Sequence, residues 1–397
     1  MTNQCKQEIG NQEKVFHEEI KSGAKIHRTN QNAVSNSYLY AVQFANVIGH
    51  EELKHHLVQE VQQGKISHAQ LFLGKPGYGS LPLALAFVQY LFCENKSESD
   101  SCGQCPSCRK VTELQHPDLH FSFPMVLSIA KKADAFLPQW REQVTENPYF
   151  NLYDWTKRID SSERKPVIGV DESLEIIRKL NLKSFEGGYK VMVIWMAEEM
   201  NADCANKLLK ILEEPTPKTL FILLSESQDK LLTTILSRTQ IVRVTMLQTD
   251  SIQRALEQQG ISRSLAESIA ARSDGDYLEA LHLLGDSEES DLNRELFIQL
   301  MRVCFKKDVT LMLDWTDAVM TQTREGQKLF LKYALHMVRQ SMLKNYTNDM
   351  LTRVSQQEAD FLKNFSRFIT NNNVPRTAPA VASPPGSGTL AKHPREP

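Results

Sequence analysis

Apolar residues in the middle of the chain fall into short runs separated by polar and glycine-rich segments. The run 69–73 (AQLFL) predicts a buried strand, because it is short, apolar and followed directly by glycines. Three later runs have the same character: 191–196, 220–224 and 240–244. Polar residues flank each run, as they flank strands that are covered on both faces.

Helical spacing of apolar residues occurs between these strands. One amphipathic helix is predicted over 53–61 and stops at Gly64. A second follows the glycines over 81–92, and a third begins near Asn201 and stops before Pro215. Strands that alternate with helices predict a parallel α/β sheet with helices on both faces.

The strand pattern ends near Thr249. Helical spacing then continues through 251–259, 265–272 and 277–284, which predicts a small helical domain. More helices are expected as far as about residue 369, including one over 329–343. The second half of the chain is therefore predicted to be all-α.

The two ends of the chain have a different composition. Residues 1–40 are rich in Asn, Gln and Lys and have no sustained period, so we expect a disordered extension. Residues 371–397 are rich in Pro, Ala, Ser and Gly, which predicts a disordered tail.

Length, composition and charge narrow the possible functions. The 397 residues, of which 41% are hydrophobic and 24% charged, suit a globular protein of two or three domains. No apolar stretch approaches the roughly 18 residues of a spanning helix, and the first residues do not resemble a secretory signal. We therefore expect a cytoplasmic protein with no membrane partner. Its net charge of −2 argues against strong DNA binding by the chain alone.

Four of the seven cysteines are bunched, with spacers of eight, two and two residues: Cys93, Cys102, Cys105 and Cys108. Four thiolates at this spacing can close a tetrahedral shell on Zn²⁺, which leaves no open position for catalysis, so we predict a structural zinc site. An iron–sulfur cluster also uses four thiolates, and a disulfide pair is the third possibility, which a reducing compartment disfavours. The isolated Cys204 is interpreted as a small apolar residue of a helix.

The loop 74–79 (GKPGYG) joins the first predicted strand to a helix, as a phosphate-binding loop does. Such a loop needs a Lys followed by Ser or Thr after its last glycine, and this chain has Ser80 and Leu81 there. The cofactor-binding candidates are therefore the residues of a degenerate loop: Gly74, Gly77, Gly79 and Ser80. We expect ATP not to occupy this site, because the cation and the magnesium ligand are missing.

A second part of a nucleotide site is also altered. Met196 stands at the end of the 191–196 strand, where an Asp would complete Mg²⁺ binding. Glu198 and Glu199 follow and can be interpreted as a shifted acidic pair, or as two solvated charges at the start of a helix. The second interpretation is favoured, so the sequence argues against ATP hydrolysis.

Five motifs in order resemble those of the bacterial clamp-loader subunits of the AAA+ class: 44–49, 67–74, the four-cysteine insertion, 206–215 and 234–239. The resemblance covers about residues 44 to 285. It implies an AAA+ α/β P-loop-type domain over 41–247 with a zinc module at 93–108. An all-α lid over 248–287 and a shortened all-α collar domain over 288–370 would follow.

The resemblance also implies a role in DNA replication. In that family, motor subunits (gamma/tau) hydrolyse ATP and, together with a delta subunit in a hetero-pentamer, load a sliding clamp onto primed DNA. One member of the complex has a decayed phosphate loop, which agrees with Ser80 and Leu81 here. We therefore expect no catalytic activity from the chain itself, although it would be a subunit of a DNA-directed DNA polymerase holoenzyme.

The family's Ser-Arg-Cys motif stands here as Ser237, Arg238 and Thr239. The resemblance implies that Arg238 is an arginine finger, which reaches the γ-phosphate bound by a neighbouring motor subunit. A planar, permanently charged guanidinium suits this role. Without the family, a surface Arg in a salt bridge is the simpler interpretation.

Two other functions are compatible with parts of the sequence. An active gamma/tau-like ATPase would use Lys75 and Glu198 in unusual roles. A zinc-ribbon module that binds nucleic acid would require a salt-sensitive affinity for DNA, which the net charge disfavours. The segment 125–170, with Trp140 and Trp155, is longer than the core fold needs and receives no role.

Overall fold

A sheet of five parallel strands lies at the centre of the protein in the computed structural model, which describes residues 42–162, 164–285, 287–306, 309–322, 324–346, 361–363 and 365–366. The predicted extension (1–40) and tail (371–397) lie outside the described residues. The strands in chain order are β1 (Ala69–Leu73), β2 (Leu119–Ser122), β3 (Lys190–Ile194), β4 (Thr219–Ser225) and β5 (Gln240–Arg243). Their spatial order is β2-β3-β4-β1-β5, and all four pairings are parallel.

The helices that precede or flank the strands are α1 (Glu51–Gln62), α2 (Ser80–Phe92), α3 (Pro106–Thr112), α4 (Leu137–Glu146), α5 (Leu152–Ile159), α6 (Val170–Asn181), α7 (Ala202–Glu213) and α8 (Thr233–Leu236). The helices that follow β5 are α9 (Thr249–Gln258), α10 (Arg263–Arg272), α11 (Tyr277–Gly285), α12 (Ser287–Lys306), α13 (Val309–Met320) and α14 (Arg324–Tyr346).

Side chains of β1, β3 and β4 alternate between two hydrophobic clusters on opposite faces of the sheet, whereas β2 and β5 contribute to one of these clusters. In β4, Leu220, Ile222 and Leu224 join the cluster that contains α2, whereas Phe221 and Leu223 join the cluster that contains α6 and α7. This alternation follows from the two-residue period of a strand. Helices therefore cover both faces, and the prediction of a parallel α/β sheet is confirmed.

The unassigned segment 125–170 contributes an aromatic group to one face of the sheet. Trp140 and Trp155, from α4 and α5, are fully buried. The Trp140 ring stacks on Phe123 at 4.5 Å between centroids, and its neighbour Trp155 donates its indole N–H to the carbonyl of Pro124 at 2.7 Å. The segment thus has a structural role that its sequence did not indicate, because isolated tryptophans among charged residues show no clear period.

The strand β1 has the predicted bounds, and the other three differ slightly from their apolar runs. The strand β3 begins one residue before its run and ends two residues before the run ends. The strand β4 is one residue longer at each end, and β5 ends one residue early. The strand β2 was missed. It has only four residues and includes His120, so it lacks the apolar run that identified the others.

Helices α9, α10 and α11 lie where helical spacing predicted them and share a small core that includes Ile252, Leu256, Ile269 and Tyr277. A separate cluster joins α12 and α14 through Phe297 and other residues. The division into AAA+, lid and collar domains stays a prediction. None of the described helices is long and apolar enough to cross a membrane.

The common direction of the strands gives the sheet two chemically distinct edges. We call the edge where strands begin the amino edge and the edge where they end the carboxyl edge. The loop 74–79 follows β1 at the carboxyl edge, whereas Arg238 precedes β5 at the amino edge. At 3.3 Å per residue, the five residues of β1 separate the two edges by about 16 Å.

We expect the substitution Trp140→Ala to lower the free energy of unfolding by about 3–5 kcal/mol, because it would leave a cavity among five aromatic side chains. Urea unfolding followed by circular dichroism measures the change. Leu265→Ala on the exposed face of α10 is the control and should change stability by less than about 0.5 kcal/mol. Equal urea midpoints for Trp140→Ala and the unsubstituted chain would contradict this account of the core.

Candidate metal centre, glycine loop and arginine surface

The four clustered cysteines of the sequence converge in space. The Sγ atoms of Cys93, Cys102, Cys105 and Cys108 all lie within 4.8 Å of one another, and those of Cys102 and Cys108 are 3.9 Å apart. A tetrahedral zinc site with Zn–S bonds of about 2.3 Å requires sulfurs about 3.8 Å apart. The thiols therefore have the arrangement that a four-coordinate metal needs.

Backbone amides point at the sulfurs. The N–H of Cys102 donates to Cys93 Sγ at 3.2 Å, that of Cys105 to Cys102 Sγ at 3.3 Å, and that of Cys108 to Cys105 Sγ at 3.4 Å. The amides of Gln104 and Cys105 lower the pKa of Cys102 to about 6, whereas burial raises the pKa of Cys93 and Cys108. A cation would compensate the burial of these thiolates.

This cysteine module, residues 93–108, lies at the amino edge because α2 runs from the carboxyl edge and ends at Phe92. The carboxylate of Asp100 accepts hydrogen bonds from the amides of Phe44 at 3.1 Å and Ala45 at 2.9 Å. Gln43 Nε2 donates to the carbonyl of Ser101 at 2.7 Å. The module therefore holds the segment that precedes α1.

The glycine loop has the strand–loop–helix context that the sequence predicted. Gly74 directly follows β1, a short 3-10 helix spans Pro76–Tyr78, and Gly79 has a φ of 92°, which favours glycine. A Cβ at position 74 would lie 2.2 Å from the carbonyl oxygen of Val244. The loop therefore has a positive φ at Gly79 and a close backbone contact at Gly74, both of which glycine permits.

Side chains from elsewhere in the chain lie against the loop. A Cβ at Gly77 would lie 1.6 Å from Asp276 Oδ1, and one at Gly79 would lie 3.1 Å from the ring of Tyr149. Tyr149 is 2% exposed, and its hydroxyl accepts a hydrogen bond from the amide of Ile48 at 3.2 Å. A carboxylate and an aromatic ring thus occupy the space beside two of the loop's glycines.

The charges around the loop are unfavourable for a phosphate. Lys75 Nζ lies over the ring of Tyr78, 5.8 Å from its centroid, and Ser80 is buried. Burial raises the pKa of Glu198 and of Glu226, and the amide of Glu226 donates to Glu198 Oε1 at 2.8 Å. Buried acidic groups, which a bound phosphate would make still harder to ionise, therefore lie close to the place where an anionic ligand would bind.

Met196, at the end of the third strand's apolar run, is 3% exposed and has a φ of 53°. It directly precedes the short 3-10 helix that contains Glu198 and Glu199. A thioether in this position cannot replace a carboxylate as a magnesium ligand.

Arg238 lies in the turn between α8 and β5. Its guanidinium donates to the carbonyl of Thr234 at 2.9 Å and forms an ion pair with Glu213 at the end of α7. The side chain is 27% exposed and that of Glu213 is 54% exposed. Arg238 thus forms the surface salt bridge that the simpler interpretation of this residue predicts.

Sequence reasoning missed Asp276 and Tyr149. Asp276 directly precedes α11, and its carboxylate accepts the amide of Glu279 at 3.2 Å, so an N-cap pattern at this position could have been found. No local signal marks Tyr149 as a neighbour of the glycine loop, because the two are joined only by the tertiary fold.

Cys204 is fully buried on α7, and burial raises the pKa of its thiol to about 12. Such a thiol is protonated at neutral pH and is a poor nucleophile. It packs among apolar residues of the sheet's second cluster, as expected from its position on the helix.

Comparison with known proteins places residues 49–248, just over half of the chain, in a family model described as DNA polymerase III, delta subunit. DNA polymerase III subunit delta' of Bacillus subtilis is 30% identical over 251 residues, 63% of this chain and 64% of that protein. Subunit delta' of Escherichia coli is 29% identical over 47% of this chain and 44% of that protein. Subunit tau of B. subtilis is 26% identical over 61% of this chain and 37% of that protein.

The matched region thus spans less than two thirds of the length of each of these relatives. The family match nevertheless includes all of the sheet, the glycine loop, the cysteine module and Arg238. On the strength of that match and of its delta-prime relatives, the chain belongs to the family described as DNA polymerase III, delta subunit.

Proposed function

We propose that this chain is a delta-prime-type subunit of the DNA polymerase III clamp loader that offers Arg238 to the ATP site of a neighbouring motor subunit and does not hydrolyse ATP itself. The observation that carries the proposal is the position of Arg238 at the amino edge, opposite the chain's own glycine loop. The relationship to delta-prime and tau subunits supports the clamp-loader role.

The separation of the two edges favours action of Arg238 on another chain over action on the chain's own loop. About 16 Å lies between them, several times the 2.7–3.2 Å of a hydrogen bond. Arg238 cannot serve a phosphate at its own loop without dismantling the sheet. Its partly exposed guanidinium is instead available to a molecule that packs against the amino edge.

The ion pair with Glu213 is compatible with this role. A partly exposed pair of this kind contributes only about 0–1 kcal/mol. A triphosphate bound by a neighbour carries more negative charge than one carboxylate, so the guanidinium can exchange Glu213 for the γ-phosphate at small cost. There it would stabilise the charge that develops on the oxygens of the transferred phosphoryl group.

The chain's own loop supports the non-hydrolysing part of the proposal. It has no Lys after Gly79, it is flanked by Asp276 and Tyr149, and Glu198 lies nearby as an acid tied to the backbone of Glu226. Any nucleotide would have to displace these groups and overcome their charge. The alternative, a gamma/tau-like ATPase that uses Lys75, lacks support from the position of Lys75 over Tyr78.

We further propose that the cysteine module binds one structural Zn²⁺ through all four thiolates. The metal would supply cross-links and charge compensation at the amino edge. The partners proposed for the whole chain are the gamma/tau motor subunits and a delta subunit in a hetero-pentamer, with the sliding clamp and primed DNA contacted through that complex.

The substitution Arg238→Ala should lower ATP hydrolysis at the neighbouring motor site by about 10³-fold, since arginine fingers contribute 10³–10⁵-fold. The measurement is clamp- and DNA-stimulated hydrolysis in single-turnover mode, which resolves one slow site among intact ones. The complex is reconstituted with the motor subunits of the same organism, and equal incorporation is checked by size-exclusion chromatography.

Arg243→Ala is the matched control for this experiment, because Arg243 is an exposed arginine at the other end of β5. It should leave every site at its normal rate. A normal rate for Arg238→Ala in a fully assembled complex would refute the arginine-finger role.

The isolated chain should show no saturable ATP binding by isothermal titration calorimetry under conditions where the motor subunits bind ATP. The substitution Lys75→Ala should change nothing, because Lys75 faces a tyrosine ring and no phosphate site. Micromolar affinity that Lys75→Ala abolishes would instead support the active ATPase.

The purified full-length chain should contain one zinc ion per molecule, as measured by inductively coupled plasma mass spectrometry. Cys108→Ser and the less buried Cys102→Ser should each lose the metal and lower the melting temperature, because they remove a ligand. Cys204→Ser is the control and should retain it. Iron and sulfide in stoichiometric amounts would identify an iron–sulfur cluster and overturn the zinc assignment.

A further inference from the structure

An aromatic side chain stands exposed on the loop between α6 and β3. Phe185 is 81% exposed, and Leu182, three residues earlier, is 56% exposed. We call residues 182–187 the Phe185 loop. Large apolar side chains that face water in this way cost hydrophobic free energy, which a partner surface would recover by covering them.

The backbone of this loop is held in place by one buried carboxylate. Asp118, which is 3% exposed, accepts hydrogen bonds from the amide of Phe185 at 2.7 Å, the amide of Glu186 at 2.9 Å and the hydroxyl of Ser184 at 3.0 Å. Phe185 is thus presented to solvent from an anchored backbone. A loop whose backbone is already ordered loses less conformational entropy on binding than a loose loop.

The Phe185 loop is also tied to the cysteine module. Ser107 Oγ, within the module, donates to Glu186 Oε2 at 3.3 Å. Just after the module, Lys110 Nζ and His116 Nε2 contact Glu186 at 2.5 Å and 3.0 Å and lower the pKa of its carboxyl. His116 itself stacks on Phe92 at the end of α2, at 4.1 Å between ring centroids. The loop and the module therefore form one continuous part of the amino edge.

The same edge carries Arg238. The loop leads into β3 and Arg238 leads into β5, with β4 and β1 between them in the sheet. Three strand spacings of about 4.8 Å place the starts of β3 and β5 about 14 Å apart. A contact joins the loop to the next strand, since Lys218 Nζ donates to the carbonyl of Gly187 at 3.4 Å.

We propose that Phe185, with Leu182 beside it, docks on the neighbouring motor subunit that receives Arg238. This inference rests on the proposed function, because it assigns the loop to the interface that the arginine finger requires. A standard interface covers about 800 Å² of each partner, a disc with a radius of about 15 Å, so one centred near Arg238 reaches the start of β3, into which the loop leads. Aromatic residues are enriched at the centres of such surfaces.

Single-stranded nucleic acid is the competing occupant, since bases stack on aromatic rings flanked by lysines. Three lysines lie on or against the loop (Lys183, Lys110 and Lys218), and two carboxylates oppose them (Glu186 and Asp118), so the local surplus of positive charge is a single unit. A stacking site for a polyanion needs a larger surplus of positive charge. The chemistry of the loop therefore favours a protein surface with an apolar pocket.

The test compares Phe185→Ala with the unsubstituted full-length chain in binding to the motor subunits by surface plasmon resonance. The dissociation constant should rise about 10- to 30-fold, the range expected when an aromatic anchor is truncated. Ile129→Ala is the matched control, because Ile129 is a 49% exposed apolar residue beyond the carboxyl end of β2, and it should leave affinity unchanged. Equal urea midpoints will show that the variants fold.

The outcomes separate this inference from the function on which it rests. In complexes saturated with the variant, Phe185→Ala should hydrolyse ATP at the normal rate per complex, whereas Arg238→Ala should assemble normally and hydrolyse slowly. Unchanged affinity for Phe185→Ala would overturn the docking role and leave the finger intact. A salt-sensitive affinity for an oligonucleotide that Phe185→Ala abolishes would overturn it in favour of nucleic acid.

Discussion

The parallel direction of the five strands is the constraint on which the other features depend. Parallel pairing places every residue that follows a strand at one edge of the sheet and every residue that precedes a strand at the other. The glycine loop and its acidic neighbours therefore lie at the carboxyl edge. Arg238, the cysteine module and the Phe185 loop lie at the amino edge, so one molecule has two faces of different chemistry.

Much of this arrangement could be predicted from residues close together in the chain. Apolar runs bounded by polar residues identified β1, β3, β4 and β5, and the short spacers of the cysteine cluster predicted that the four sulfurs would meet. Both signals are local, since a strand needs a few apolar residues and a two-residue spacer fixes a bite distance.

The features that were missed depend on contacts between distant segments. The strand β2 is short and gains its stability from pairing with β3, which follows it by about 70 residues in the chain. Tyr149 and Asp276 meet the glycine loop only because α4, α5 and α11 pack around it. No period or spacing in the sequence records such a meeting, so the loop's surroundings could not be inferred from its motif.

The close packing around the glycines has a consequence for how such a loop is interpreted. At Gly77 a methyl group would collide with Asp276, and at Gly74 it would collide with the carbonyl of Val244, whatever the loop binds. Steric constraints alone therefore favour glycine at positions 74 and 77, with or without a nucleotide in the loop. Glycines in a loop of this shape are thus evidence of close packing and do not by themselves identify a nucleotide site.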